Sequence, residues 1–339
     1  MSDQDRSPVK IDPYDLVPVS PDEFIPGSKL PVNVFLRLSE GHYICIGRQG
    51  TKTNFNEMHF SGKQDAHVQT YYIRRSDFAA CVGSNLTIAG IVLNANQVTE
   101  SKKLNILNMA ADSVFKEFAE LGFNIQSIEH AKMVSQGIRT IVESKPDLHS
   151  VVSLMSAVPG DLVRHSMAVS AIAVIIAKNM GWVIPGTIEK IALGGLLHDV
   201  GYKELPPDVI RKPRHELSYE ERATFETHPF RGIEILKTMP SVPDDILSIV
   251  YEHHENAIGH GYPRKIRDYK MNPLARIVAL ADCFVELTIK NHDLPNPRSA
   301  GEGLNYIETT LAQPFNKQAF HALRISLDKV AKPSLKVVS

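Results

Sequence analysis

The stretch TIEKIALGGLLHDV, residues 187–200, decides the fold of the second half of the chain. Its apolar residues recur at helical spacing, and the breaker-rich segment VGYKELPPD follows, so the pattern predicts a helix that ends at a loop. His198 and Asp199 therefore lie together at the end of an apolar helix. Adjacent His and Asp residues are common in sequences, so the meaning of this pair depends on which other residues can approach it.

Five further side chains of the same chemical types follow or precede the pair, spaced one or two per helical segment. They are His165, His228, His253, His254 and Asp282. Imidazole and carboxylate groups are ligands of borderline and hard divalent ions, and a carboxylate can offer one oxygen to each of two ions. A lone inward-facing histidine is more often a hydrogen-bonded core residue, but seven such side chains in order predict a two-metal site inside a helical bundle.

The motifs follow one another in the order H, HD, HP, HHE, GYP, D. This order resembles that of the HD-GYP family of metal-dependent phosphohydrolases, which includes cyclic di-GMP phosphodiesterases. The resemblance runs from about Asp161 to about Lys290. Its segments are LLHDVGYKELPPDVIRKPRHELSYEE, HPFRGIEIL, HHENAIGHGYP and ARIVALAD. It implies an all-α HD-type bundle that hydrolyses a phosphodiester with the help of two bound metal ions.

The resemblance also implies how the metals are held. One ion takes His165, His198, Asp199 and Asp282, and the other takes Asp199, His228, His253 and His254, so that Asp199 bridges the two. Two such ions, about 3.5–4 Å apart, can lower the pKa of a water that bridges them and can clamp the phosphate oxygens. A set rich in histidine and free of thiolates favours iron or manganese, with zinc as the alternative.

Two more carboxylates flank these ligands. Asp161 stands where some family members have a glutamate that holds a third metal, and it is one methylene shorter. We expect Asp161 and Glu255 to hydrogen-bond to a metal ligand or a water and so support it, or to mark the remnant of a third metal site.

The chain departs from the family on the substrate side. The lysine of the family's HDxGK motif is Tyr202 here, with Lys203 one residue later, and Lys290 is a nearby cation after Asp282. Asp199 and Lys203 are expected to act in catalysis, and Tyr202, Lys203 and Lys290 in substrate binding. Since several family phosphate contacts are replaced, two functions stay open. One is a cyclic di-GMP phosphodiesterase, and the other is a weakly active sensor or interaction module that keeps its metals.

The loop Gly259, His260, Gly261, Tyr262, Pro263 predicts a defined turn. In the family this segment is linked to partners that carry GGDEF domains. A rigid turn that only positions His253 and His254 is the alternative.

Composition limits the remaining functions. The chain has 339 residues, 43% of them hydrophobic, a net charge of −1 and three cysteines without CxxC spacing. This balance predicts a cytoplasmic protein without a disulfide framework, and it argues against DNA or membranes as partners.

The apolar helical stripe from Leu104 to Leu121 predicts packing on a neighbouring helix, with a homodimer seam as the alternative.

The predicted fold class is α+β, with a small β-rich N-terminal domain before the helical bundle. We expect an extended arm at 1–28, a β-rich regulatory or interaction domain at 29–97, connecting helices at 98–150 and the HD-GYP domain at 151–339. The predicted strands are LPVNVFLRL, HYICIG, TYYIRR and LTIAGIVL, from their alternating or β-branched residues.

Overall fold

The computed structural model describes residues 7–25, 27–52, 70–144, 147–182 and 184–328. The chain divides into two compact units, Met1–Gly122 and Phe123–Ser339. The first contains a small sheet and two helices, and the second is helical, which confirms the predicted α+β class. The boundary falls inside the region predicted to connect the domains, because one of its long helices belongs to each unit.

The first unit contains a five-stranded antiparallel sheet in the order β1-β4-β3-β5-β2. The strands are β1 (Val9–Lys10), β2 (Leu16–Val19), β3 (Val34–Ser39), β4 (His42–Gly47) and β5 (Tyr71–Arg74). Ile11, Leu16, Phe35 and Tyr43 form a buried cluster on it. The predicted strands in LPVNVFLRL, HYICIG and TYYIRR are confirmed.

The prediction of an extended arm at 1–28 is wrong for the described part of that segment. Val9–Lys10 and Leu16–Val19 are strands of the sheet, and Leu16, Val17 and Val19 are buried. The strand Leu16–Val19 is too short for a period-two alternation of apolar and polar residues to be recognised in the sequence. Pro18 interrupts the pattern further. Because β2 lies at an edge of the sheet, it tolerates a proline that cannot donate a hydrogen bond. Residues 1–6 and Pro26 of the predicted arm lie outside the described residues.

The predicted fourth strand, LTIAGIVL, is instead the second half of helix α1 (Phe78–Leu93). Its buried residues recur every three or four positions, as Phe78, Val82, Leu86, Ala89 and Leu93, and this face packs against α2 (Glu100–Leu121). Tertiary packing has overridden the β propensity of the isoleucines and valine. The apolar stripe of α2 is buried within the same unit from Leu104 to Phe118, as the predicted packing on a neighbouring helix requires.

One helix of the described chain, Arg75–Leu93, is long and apolar enough to cross a membrane by length and composition. This segment is α1 with its preceding turn. Its buried face packs on α2, and a helix of a soluble core has the same composition.

The second unit is a bundle around one central helix, α5 (Asp161–Asn179), which is buried along most of its length. Helices α3, α4, α6, α11 and α13 pack on it. The other bounds are α3 (Ile125–Ser144), α4 (Leu148–Ser156), α6 (Pro185–Leu197), α7 (Pro207–Arg211), α8 (Tyr219–Phe225), α9 (His228–Leu236), α10 (Asp244–Glu252), α11 (Pro273–Thr288), α12 (Ala300–Asn305) and α13 (Lys317–Asp328). A helix that is apolar on all sides belongs at the centre of such a bundle.

Glycines bring the backbones around the His-Asp pair close together. A Cβ on Gly195 in α6 would lie 2.8 Å from Ser170 Cα in α5, and one on Gly201 would lie 1.9 Å from the carbonyl oxygen of His228. No side chain larger than hydrogen fits at either place. These contacts fix the end of α6, and with it His198 and Asp199, against α5 and α9.

We predict that Gly195→Ala destabilises the second unit because backbone atoms of α5 cannot move aside as a side chain would. The cost should be about 1–3 kcal/mol, which lowers the Tm of a domain of this size by roughly 2–4 °C for each kcal/mol. Gly186→Ala is the matched control in the same helix, since a Cβ there meets nothing within 4 Å. Calorimetry that finds equal Tm values for the two variants would contradict the proposed close approach.

Candidate metal centre

The seven predicted ligands come from five helices and converge on one place. His165 lies in α5, His198 and Asp199 end α6, His228 begins α9, His253 and His254 follow α10, and Asp282 lies in α11. Each helix therefore contributes one or two ligand-type side chains to the centre of the bundle. His198, Asp199, His228, His253 and Asp282 are buried, with exposed fractions of 6% or less.

The first group of ligand atoms surrounds one oxygen of Asp199. His198 Nε2 lies 3.1 Å from Asp199 Oδ2, and His165 Nε2 lies 3.5 Å from the same oxygen. Asp282 Oδ1 is 3.1 Å from His165 Nε2 and 3.8 Å from His198 Nε2. Two imidazoles and two carboxylates thus meet within a space that one cation can fill.

The second group surrounds the other oxygen. Asp199 Oδ1 lies 3.3 Å from His228 Nε2 and 3.5 Å from His253 Nε2. His254 also lies within reach, since its ligand atom and those of Asp199, His228 and His253 are all within 4.8 Å of one another. Asp199 is therefore the residue shared by both groups, with one oxygen directed to each.

The orientation of three histidines is fixed by the same local contact. Nδ1–H of His198, His228 and His253 donates to the carbonyl oxygen three residues earlier, on Gly195, Phe225 and Val250, at 2.8 Å in each case. This hydrogen bond leaves Nε2 as the unprotonated nitrogen of the neutral ring. In its neutral form each of the three rings therefore points a lone pair at the centre, which is the arrangement that metal-ligating histidines use.

These lone pairs need a cation. His228 Nε2 and His253 Nε2 approach to 3.1 Å, and neither carries a proton for the other in the neutral ring. Asp199 Oδ1 and His254 Nε2 are buried side-chain atoms that take no hydrogen bond within the described chain. Buried polar atoms without partners cost free energy. The residues present therefore fit divalent metal ions.

The protonation states of the ligand-type side chains also suit the binding of a cation. Burial tends to lower the pKa of His198, but Asp199 and Asp282 outweigh it and raise the pKa to about 9. Burial lowers the pKa of His253 and, more strongly, of His254, so those two rings are held neutral. The carboxylate pair thus favours a positive charge beside it, while His253 and His254 supply uncharged nitrogen donors, as metal binding requires.

The carboxylates of Asp161 and Glu255 bind groups other than the seven ligand-type side chains. Asp161 is exposed and forms an ion pair with Arg164, whose guanidinium also donates to the carbonyl oxygens of Val158 at 3.1 Å and Lys290 at 3.0 Å. Asp161 therefore helps to fasten the start of α5 to the segment after α11. The expectation that it supports a ligand or a third metal stays a prediction.

Glu255 holds the loop that follows α10. Its buried carboxylate accepts hydrogen bonds from the backbone N–H of Arg264 at 2.5 Å and of Ile266 at 3.0 Å. Gly261 lies against the other side of the same backbone, since a Cβ there would be 2.2 Å from the carbonyl oxygen of His254. Tyr262 then stacks on the His254 ring, with centroids 4.6 Å apart. The loop of Gly259, His260, Gly261, Tyr262 and Pro263 thus positions the second histidine group.

A cleft of about 290 Å³ opens beside the ligands and contains one of the three expected substrate contacts. Tyr202 lines it, with its ring against His228 at 4.6 Å. Lys203 instead lies over the ring of Phe123 at 5.4 Å, and Lys290 is exposed outside the lining. The lining residues are Asp161, Leu162, His165, Asp199, Tyr202, Ile210, Lys212, Arg214, Phe225, Glu286, Asn291, His292 and Asp293.

Sequence reasoning missed Lys212, Arg214, Glu286 and Asp293 in this wall. Glu286 had a readable signal, because it follows Asp282 by four residues in one helix and therefore shares its face. Arg214 had none, since it reaches the cleft from a short 3₁₀ turn, Arg214–Glu216.

Comparison with known proteins agrees with this geometry. A family model described as an HD domain matches residues 149–315. Over 179 residues the chain is 27% identical to the cyclic di-GMP phosphodiesterase PA4108 of Pseudomonas aeruginosa, a match that covers 53% of this chain and 42% of that protein. Residues 149–315 are an HD domain of the HD-GYP family.

Two further similarities extend the comparison. The chain is 29% identical over 125 residues to a 3'3'-cGAMP-specific phosphodiesterase of Vibrio cholerae, covering 37% of this chain and 28% of that protein. The chain spans less than half the length of these two curated relatives. The HDG"Y"P protein Bd1817 of Bdellovibrio bacteriovorus shares the fold, with a TM-score of 0.62 at 18% identity, over 93% of this chain and 100% of that one.

We predict about two metal ions per chain, as expected for a shared-carboxylate centre. His165→Ala and His228→Ala should each lower the content towards one, because each removes a ligand from a different group, and Asp199→Ala should lower it below one. His215→Ala removes a histidine that is far more exposed than the predicted ligands. It is the control and should keep the wild-type metal content. Metal analysis after reconstitution with iron or manganese measures this, and a wild-type content of one ion would contradict it.

We predict that Glu255→Gln loosens the loop, because an amide can accept only one of the two backbone hydrogen bonds and its NH₂ group faces the other donor. Hydrogen exchange of the Arg264 and Ile266 amides should become at least tenfold faster, since a charged hydrogen bond contributes about 1.5–3 kcal/mol. Glu302→Gln, which alters an exposed helix cap, is the control. Unchanged exchange at both amides in Glu255→Gln would show that the carboxylate does not hold the loop.

Proposed function

We propose that the chain is a metal-dependent phosphodiesterase that hydrolyses a cyclic dinucleotide, with cyclic di-GMP as the first substrate to test. The observation that carries this proposal is the position of Asp199, which directs one oxygen to each of two ligand groups at the floor of an open cleft. The HD-GYP membership of the domain and the substrates named for its relatives support the choice of substrate class.

Two bound divalent ions, iron or manganese in this proposal and zinc as the alternative, would polarise the phosphate oxygens and supply a water nucleophile at neutral pH. His165, His198, Asp199 and Asp282 would hold one of them, and Asp199, His228, His253 and His254 the other. The nucleophile therefore needs no serine or cysteine of the chain. The product would be a linear dinucleotide or GMP.

Tyr202 would contribute to substrate binding from the wall of the cleft. Burial raises the pKa of its hydroxyl well above the ordinary value, and Asp199 adds to the effect. The hydroxyl therefore keeps its proton at neutral pH and can donate it in a hydrogen bond to a phosphate oxygen. Lys203, which the sequence placed in catalysis, would reach the substrate only by leaving the Phe123 ring.

One observation favours the second candidate, a sensor that keeps its metals and binds a nucleotide without turnover. Three carboxylates, of Asp161, Glu286 and Asp293, line the cleft together with the ligands. Acidic side chains repel a phosphodiester and weaken its binding. A sensor would signal through the N-terminal unit or through the loop at Tyr262, for which GGDEF-domain proteins are the proposed partners.

The remaining expectations belong to the same proposal. Cys45, Cys81 and Cys283 are all free, which suits a reducing compartment such as the cytoplasm. We also propose that the protein forms a homodimer and that the N-terminal unit has a regulatory or interaction role.

We predict that the metal-loaded, reduced protein hydrolyses cyclic di-GMP or 3'3'-cGAMP, and that Asp199→Ala abolishes the reaction because both ligand groups lose their shared oxygen donor. Turnover is measured by chromatography of the products. Asp208→Ala, which removes an exposed carboxylate outside the described cleft lining, is the control. Binding of either dinucleotide without any turnover by fully loaded protein would select the sensor instead.

A further inference from the structure

Arg214 is a cation in the wall of the cleft whose position sequence patterns do not indicate. It opens the 3₁₀ turn Arg214–Glu216, and its side chain is 37% exposed. Its backbone N–H donates to Asp293 Oδ1 at 2.7 Å and its Nε–H to Asp293 Oδ2 at 2.6 Å. Nη2 forms an ion pair with Glu286. The guanidinium is therefore held in one orientation by two carboxylates.

The guanidinium is not saturated by these contacts. It has five N–H groups, of which one on Nε and one on Nη2 are used. Within the described chain, Nη1 makes no hydrogen bond. A fixed arginine edge with free donors is the geometry that binds phosphate through two parallel hydrogen bonds.

The free donors lie beside the metal ligands. Glu286, which holds Nη2, is one helical turn after Asp282 on the same face of α11, and the same cleft is lined by His165 and Asp199. The four residues from Asp282 to Glu286 advance about 6 Å along the helix axis, so a phosphate group of a substrate seated on the proposed metal ligands comes within reach of Arg214.

We propose that Arg214 is the residue that binds a phosphate of the substrate, and that Glu286 and Asp293 orient it while competing for its charge. This inference rests on the proposed function, and it specifies the substrate as a phosphodiester that approaches from the side of the 3₁₀ turn. Among the described lining residues, Lys212 is the other permanently charged cation. Arg214 differs from it in being held in place by two acidic side chains.

A purely structural arginine is the competing explanation, because Arg214 also links the turn to α11 and to Asp293. The two explanations predict opposite signs for Asp293→Asn. The asparagine can still accept the backbone hydrogen bond of Arg214 but carries no charge. If Arg214 binds phosphate, less competition strengthens substrate binding, whereas a structural arginine loses a partner and binding weakens or stays the same.

The experiment uses the full-length, metal-loaded protein with cyclic di-GMP, for which KM and kcat are measured, and with a non-hydrolysable phosphorothioate analogue, for which Kd is measured. Arg214→Gln should raise KM and Kd by roughly 10- to 100-fold, the loss of a charged hydrogen-bond pair, with a smaller change in kcat. Asp293→Asn should lower Kd by roughly 3- to 10-fold, and this gain should disappear when Arg214→Gln is also present. Arg211→Gln removes the same charge from a residue outside the described lining of the cleft. It is the control and should leave Kd unchanged.

An unchanged Kd in Arg214→Gln, or unchanged or weaker binding in Asp293→Asn, would overturn the inference while leaving the phosphodiesterase intact. If Arg214→Gln does not fold, Arg214→Lys and Asp293→Asn decide, since a lysine keeps the charge but not the two-point geometry and should bind less tightly than wild type. Failure of the proposed function gives a different result: the wild type then binds neither ligand and does not cleave bis(p-nitrophenyl) phosphate, and both proposals fall together.

Discussion

The structure of the HD domain depends on the burial of one carboxylate between two sets of imidazoles. Asp199 has two oxygens, and each faces its own group of nitrogen atoms at 3.1–3.5 Å. A buried carboxylate is unfavourable unless positive charge or donors surround it. Three of the histidines donate Nδ1–H to the carbonyl oxygen three residues earlier, so in the neutral ring they turn a lone pair, and not a donor, towards the carboxylate. Positive charge beside Asp199, from a protonated His198 or from a bound cation, therefore stabilises the fold as well as serving the proposed chemistry.

The surrounding bundle is arranged to meet that requirement. Gly195 and Gly201 let α5 and α9 approach the end of α6 at backbone distance, which brings His165 and His228 to opposite sides of Asp199. On the far side, Glu255 fastens the loop that carries Tyr262, and the tyrosine ring packs against His254. Close packing of this kind leaves the ligands few alternative positions, and a preorganised site results.

The convergence of the seven ligand-type side chains could be predicted from sequence because each lies next to a helix end or on an inward helical face, where periodicity fixes direction. The N-terminal unit was less predictable. The strand Leu16–Val19 is too short to show alternation, and the β-branched residues of LTIAGIVL belong to a helix that packs on α2. The pairing of Arg214 with Asp293 in the cleft wall could not be predicted, since the two residues meet across 79 residues through contacts that no local pattern records. Lys203 stands one residue after Tyr202, the position of the family's lysine. Its side chain nevertheless lies over the ring of Phe123.

We propose that Asp199 bridges two metal ions. Anomalous diffraction from crystals of the iron- or manganese-loaded protein tests it most directly, because it locates each ion independently of the protein atoms. The account predicts two peaks about 3.5–4 Å apart, one beside each oxygen of Asp199, with His165 and His198 on one ion and His228 and His253 on the other. A single peak, or a second peak that does not contact Asp199, would contradict it.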